Sequence, residues 1–201
     1  MEMKPRAMCT GARFVALVVC LSVVSFATVV GRERKDTNKG NQFQVIDTRT
    51  DSRITSPLVK IDTVVQNGLD PRNRFTMHHL YRHPGSHDRG TIMLIPSLVA
   101  NFDEYLLNEN DDRMVSLAVT LALEGYVVYG YTPRTAQIPV NGCSAAQFDC
   151  SIMGTWGFAA YLSDIDYIRQ QATRGDHKPV IGGLSLGGML GIAAVNANPN
   201  G

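Results

Sequence analysis

Three short apolar runs, Thr91–Ile95, Tyr126–Tyr131 and Pro179–Gly183, are each followed by a segment whose apolar residues recur at helical spacing. A continuous apolar run suits a strand buried on both faces, as parallel strands are. The alternation of strand and helix therefore predicts the α/β class, with right-handed crossovers and a parallel sheet covered by helices on both faces. The first helix is expected to start at Asp111 and Asp112, which offer an N-cap and negative charge. It would continue through Met114, Val115, Ala118, Leu121 and Ala122 to Gly125. The second covers roughly residues 157–174, with Tyr161, Ile165 and Ile168 on one side and Asp164 and Arg169 on another; the third runs from Leu186 to Asn196. Upstream, Phe43–Thr48, Leu58–Val65 and Phe75–Arg82 carry β-branched and aromatic residues between turn signals at Ser56-Pro57 and from Asn67-Gly68 to Asp70-Pro71. They predict a small antiparallel meander leading into the sheet.

Residues 1–31 differ from the rest. Lys4, Arg6 and Arg13 precede Phe14–Val30, seventeen residues without a charge, and Ser25 and Ala27 are small residues at the spacing a signal peptidase accepts. A cleaved secretory signal is expected. As a helix the apolar stretch reaches about 25 Å, short of a hydrocarbon core of roughly 30 Å, so an uncleaved anchor over residues 14–30 is the rival. Contact with a membrane is expected only in that case. Residues 32–42 are polar and read as a flexible lead, followed by one domain over 43–201. The formal net charge of +1, with no clustered basic patch, gives no reason to expect nucleic acid.

Gly183-Leu184-Ser185-Leu186-Gly187 satisfies GxSxG and falls directly after a predicted strand and directly before a predicted helix. In that context the chain resembles the α/β-hydrolase superfamily, over about the 105 residues from Thr91 to Asn196 and with a compatible meander in front. The resemblance implies a serine hydrolase of the esterase or lipase kind. Ser185 would be the nucleophile, with Gly183 and Gly187 as the small residues that let strand and helix approach at a strained turn. It also places the oxyanion hole at the N–H of Leu186 and at an N–H after the first parallel strand, with Leu98 as the best match. Many members carry His-Gly where this chain has Pro96-Ser97, and many lipases carry histidine where it has Leu184. A small-molecule or lipid ester is the substrate class implied; neither cofactor nor metal is called for.

A serine hydroxyl needs an imidazole to take its proton and an acid to hold that imidazole. In the superfamily both follow the serine, yet no Asp, Glu or His follows Ser185. His177 precedes the last strand, at its wrong end. His78, His79, His83 and His87 fall in or beside the meander, where alternation puts His78 and His79 on opposite faces and argues against one shared metal ion. Solvent-facing histidines are expected instead. The chain therefore reads as the N-terminal part of such a hydrolase, with Pro179–Gly183 left as an uncovered sheet edge. A non-catalytic binding module on the same scaffold, or an acyltransferase, shares these features.

Between Tyr131 and Gly157 lies a 25-residue connection on the rim where Ser185 is expected. Its apolar residues Ile138, Val140, Phe148, Ile152, Met153 and Trp156 suit either an acyl pocket or lid, or a braced structural loop. Cys143 and Cys150 would staple it in an oxidising compartment, or stand as two unrelated thiols.

Overall fold

The computed structural model describes residues 43–84, 89–97, 100–107, 115–140, 142–143, 148–173, 175 and 177–197. The expected signal segment, the lead, Leu98, His87, and the helix start at Asp111 and Asp112 lie outside them.

Strands β1 (Phe43–Thr50), β2 (Leu58–Asn67) and β3 (Arg74–Arg82) form the antiparallel meander, pairing β1 with β2 and β2 with β3. The β2–β3 turn is set by Gly68, whose φ of 79° is in the left-handed region, and by Asn73 donating from its N–H to the Asp70 carbonyl. Strands β4 (Thr91–Ile95), β5 (Val127–Thr132) and β6 (Val180–Gly183) are mutually parallel, with β4 between the other two. Because β3 pairs antiparallel with β5, all six form one sheet in the order β1-β2-β3-β5-β4-β6. Both β4 and β5 are almost wholly buried, as their apolar runs require. By contrast β6 is a sheet edge, as expected of Pro179–Gly183, and its Val180 is 68% exposed although its apolar run alone suits a strand buried on both faces.

Helix α1 (Leu117–Leu123) lies on one face with the 3-10 turn Phe102–Tyr105, around Leu80, Leu94 and Val128. Helices α2 (Phe158–Ala172) and α3 (Leu186–Ala197) lie on the other, where Ile165, Ile168, Leu190 and Ala194 pack on Phe75, Met93, Ile95 and Tyr131. The described part of α1 begins later than its apolar pattern implies. Ser116 is its N-cap, accepting the Val119 N–H, and Val115 is outside the helix and exposed. Its end matches: the N–H groups of Gly125 and Tyr126 turn back to the Ala122 and Leu121 carbonyls, which only a residue at positive φ (91° for Gly125) closes without strain.

Asp164 is the clearest departure from helical patterning. The expected solvent face of α2 carries it, yet it is fully buried, because Arg134 from the long connection reaches it with Nε at 2.8 Å and a second guanidinium nitrogen at 2.5 Å. Tyr131 donates its hydroxyl to the same carboxylate at 3.2 Å. A buried charge is tolerated only with such partners.

Candidate active site

The chain leaves β6 and enters α3 through a single sharp turn. Ser185 has φ of 53°, a left-handed conformation that costs a non-glycine residue energy and, among the described residues, is found elsewhere only at glycines. The turn has room for no side chain on either flank. A Cβ on Gly183 would stand 2.4 Å from the Gly187 carbonyl carbon, and one on Gly187 would stand 2.1 Å from the Ile95 oxygen. Behind the serine, Gly191 lets α3 approach β6, since a Cβ there would meet Ile181 at 3.1 Å. Ser185 itself is exposed at the carboxyl edge of the parallel strands, at the start of a twelve-residue helix whose first N–H groups have no acceptor within the helix.

The end of β4 holds this turn from beneath. The Ile95 carbonyl accepts the Leu184 N–H at 3.3 Å and the Tyr105 hydroxyl at 2.7 Å. Burial, reinforced by the neighbouring Glu104 charge, pushes the Tyr105 phenol up to about 12, so it stays a donor. Glu104 in turn accepts both the N–H and the hydroxyl of Ser97, at 3.0 and 3.1 Å. Pro96 has no N–H and that of Ser97 is engaged. Neither residue therefore offers a free N–H, and Leu98, the expected donor, lies outside the described residues. Leu186, the other expected donor, opens α3 and is half-buried. Sequence reasoning missed Glu104 and Tyr105; their only signal is position, a short turn after the strand.

At the end of β6 an open hollow of about 430 Å3 is lined by Leu94, Glu104, Tyr105, Leu107, Leu117 and Leu184, the residue before the serine, but not by Ser185 itself. The long connection does not supply its walls. That connection is a braced loop: Cys143 and Cys150 are joined, Arg72 reaches the Asp149 carboxylate at 2.7 Å, and the Trp156 indole donates to Asn73 at 2.8 Å. Gln137 also donates to the Arg74 carbonyl. Of its apolar residues Trp156 is buried, whereas Val140 is fully exposed.

No imidazole comes near Ser185 among the described residues. His177 precedes β6 and Ser185 follows it, so the four residues of that strand, at about 3.3 Å each, put them at opposite ends of it, roughly 13 Å or more apart. His78, on β3, is three strands from β6, roughly 14 Å at the usual strand spacing. The four meander histidines are not uniformly solvent-facing: His83 is exposed, but His78 is only 7% exposed, stacked on Phe102. His79 stacks on Tyr129 on the opposite face, as strand alternation requires. Among the described residues no group of three or more His, Cys, Asp or Glu is placed to hold a metal ion.

No protein-family model matches the sequence, and no curated protein matches it. Solved structures do. A protein classed as a lipase from Sulfolobus solfataricus superposes with a TM-score of 0.59 at 15% identity, over 78% of this chain and 46% of that one. The thioesterase domain from the curacin biosynthetic pathway matches at a TM-score of 0.46 and 16% identity, over 69% of this chain and 40% of that one. An acetyl xylan esterase from Paenibacillus sp. R4 matches at 0.43 and 14%, over 78% and 50%. On the first of these likenesses the fold of this chain is the α/β-hydrolase fold. The chain spans about half the length of each of these proteins or less.

Proposed function

We propose that this chain carries the nucleophile-bearing portion of an exported serine hydrolase of carboxylic esters. Ser185 attacks the acyl carbonyl, the Leu186 N–H and a donor from the loop after β4 hold the oxyanion, and water releases the acyl group. The observation that carries this reading is the backbone of Ser185: left-handed, exposed, and fenced by two glycines that cannot accept a methyl group. Strain of this kind persists where the surroundings over-determine it, and it lifts a hydroxyl clear of the sheet. The leucine-rich hollow that the neighbouring Leu184 lines suits the apolar acyl part of an ester. On this reading the imidazole and carboxylate of the relay belong to the part of the matched hydrolases that this chain does not span.

The distance of every described histidine from Ser185 favours a second reading, a non-catalytic binding module on the same scaffold. Labelling of the full-length gene product with a fluorophosphonate separates the two. Label on the Ser185 peptide that disappears in Ser185→Ala is the result expected of the enzyme. An unlabelled Ser185 in folded protein would leave the module.

A further inference from the structure

A second hydroxyl, on a different part of the rim, sits in a more complete chemical setting than Ser185. Asp62 and His78 are cross-strand partners on β2 and β3, and the imidazole Nδ1 lies 2.7 Å from the Asp62 carboxylate. Its Nε2 lies 2.8 Å from Oγ1 of Thr132, the last residue of β5. The proton positions follow from the neighbours. Lys60, itself buried, donates Nζ to both Asp62 oxygens at 2.6 and 2.8 Å, so Asp62 is an ionised acceptor and His78 must donate from Nδ1. Burial, before any other influence, pushes the imidazole down and keeps it neutral, which leaves a lone pair on Nε2 for the Thr132 hydroxyl to donate into. The Phe102 N–H donates to the same oxygen at 3.1 Å and fixes its orientation.

The surroundings are built to hold this chain of groups. Phe102 stacks on the imidazole with centroids 4.7 Å apart, and it can lie there only because β5 has Gly130 at that level, where a Cβ would stand 2.1 Å from the ring. Two hollows, of about 350 and 330 Å3, meet at Thr132 and share Arg49, Val64 and Thr76. One is polar, with Arg53, Asn101 and Asp103 beside the relay; the other is mixed, with Ile46, Phe75 and Pro133 beside Asp47, Arg74 and Gln137. Two strand spacings, about 10 Å, separate the ends of β5 and β6, so this hydroxyl and Ser185 belong to different sites.

We propose that Thr132, with His78 as general base and Asp62 as the group that orients it, is a second acyl-accepting hydroxyl, acting on esters of a small acid with a polar alcohol. Oγ1 attacks the ester carbonyl carbon while its proton passes to His78 Nε2. Collapse of the tetrahedral adduct breaks the ester C–O bond, and the departing alcohol takes the proton from Nε2, leaving a threonyl ester. Water then gives a proton to Nε2 and attacks that ester, and the proton returns to Oγ1 as the carboxylic acid leaves. The polar hollow takes the alcohol and the mixed one the acyl group.

The test is treatment of the full chain, as wild type and as Ser185→Ala, with an alkyl fluorophosphonate, followed by peptide mapping. Label on Thr132 in Ser185→Ala is expected, abolished by Thr132→Val, retained by Thr132→Ser, and slowed about 100-fold by His78→Gln. Absence of label on Thr132 in Ser185→Ala with unchanged near-UV circular dichroism overturns the proposal, because there the relay is untouched and no folding defect can be blamed. Label confined to Ser185 in the wild type would also overturn it while leaving the proposed ester hydrolase standing; label on Thr132 alone would do the reverse.

Discussion

Gly187 lies against the carbonyl of Ile95 so closely that a single methyl group on it would stand 2.1 Å from that oxygen. The same oxygen accepts the Leu184 N–H and the Tyr105 hydroxyl, so β4, β6 and the 3-10 turn Phe102–Tyr105 converge on one atom beneath Ser185. Backbone cannot move there without breaking both bonds. Gly187→Ala is therefore expected to destabilise the domain by about 3 kcal/mol through overpacking. Gly154→Ala, where a Cβ meets nothing within 4 Å, is expected to stay within about 0.5 kcal/mol of wild type. Denaturant midpoints of the two variants check the contrast; equal midpoints would mean that the turn is looser than its contacts imply.

The buried Arg134–Asp164 pair yields a second prediction. Burial pushes the Asp164 carboxyl up, while the Arg134 guanidinium pulls it back. Asp164→Asn leaves a charged guanidinium, 4% exposed, with no counter-charge and should cost about 3 to 5 kcal/mol. The double variant Arg134→Met with Asp164→Leu should recover most of that loss, since no unpaired charge remains. Thermal unfolding of the single and double variants gives the comparison, and a double variant as weak as the single one would refute it.

Stability should fall in two stages as pH drops. Burial foremost lowers the His78 pKa, so below the unfolded histidine value of about 6.5 the unfolded chain binds a proton that the folded chain does not; stability is lost from there downward. Asp62 resists protonation for a different reason. Burial tends to raise its carboxyl, but its bonds to His78 and Lys60 outweigh that and hold it below its ordinary value. Its contribution is full above the unfolded carboxylate value of about 3.9 and is lost as pH falls through the lower folded one. Urea midpoints between pH 8 and pH 3 should show both limbs, and His78→Gln should flatten the upper one alone.

Reduction of the Cys143–Cys150 bond should loosen the braced connection without unfolding the sheet. The ring it closes is short, with a sequence separation of 7, and loop-closure entropy sets its worth at about 2 to 3 kcal/mol. Cys143→Ser with Cys150→Ser should lower the unfolding temperature and raise amide exchange in residues 148–156 first. Uniform acceleration across β4 and β5 would show that the connection and the core unfold as one unit.

Much of this molecule could be read from local pattern. The buried runs Thr91–Ile95 and Val127–Thr132 became adjacent parallel strands because continuous apolar sequence has nowhere else to go. The Gly-x-Ser-x-Gly letters correctly placed a strained turn, because only glycine tolerates the closeness that turn imposes. Polar residues were less legible. Asp164 and Lys60 carry the composition of surface and are buried. Their partners are Arg134, 30 residues away, and Asp51, 9 residues away, as well as the near neighbour Asp62. His78, predicted to face solvent, is buried for the same reason, held between Asp62 and a threonine 54 residues on.

Sequence by itself thus determined the order of elements, the antiparallel lead into a parallel sheet, and the sharp turn at Ser185, since each follows from periodicity or from the sterics of a few adjacent residues. Only the tertiary structure decided which charges are buried together and which carbonyl the turn rests on. Those outcomes depend on contacts between residues far apart in the chain, and no local pattern encodes the partner that makes a buried charge affordable.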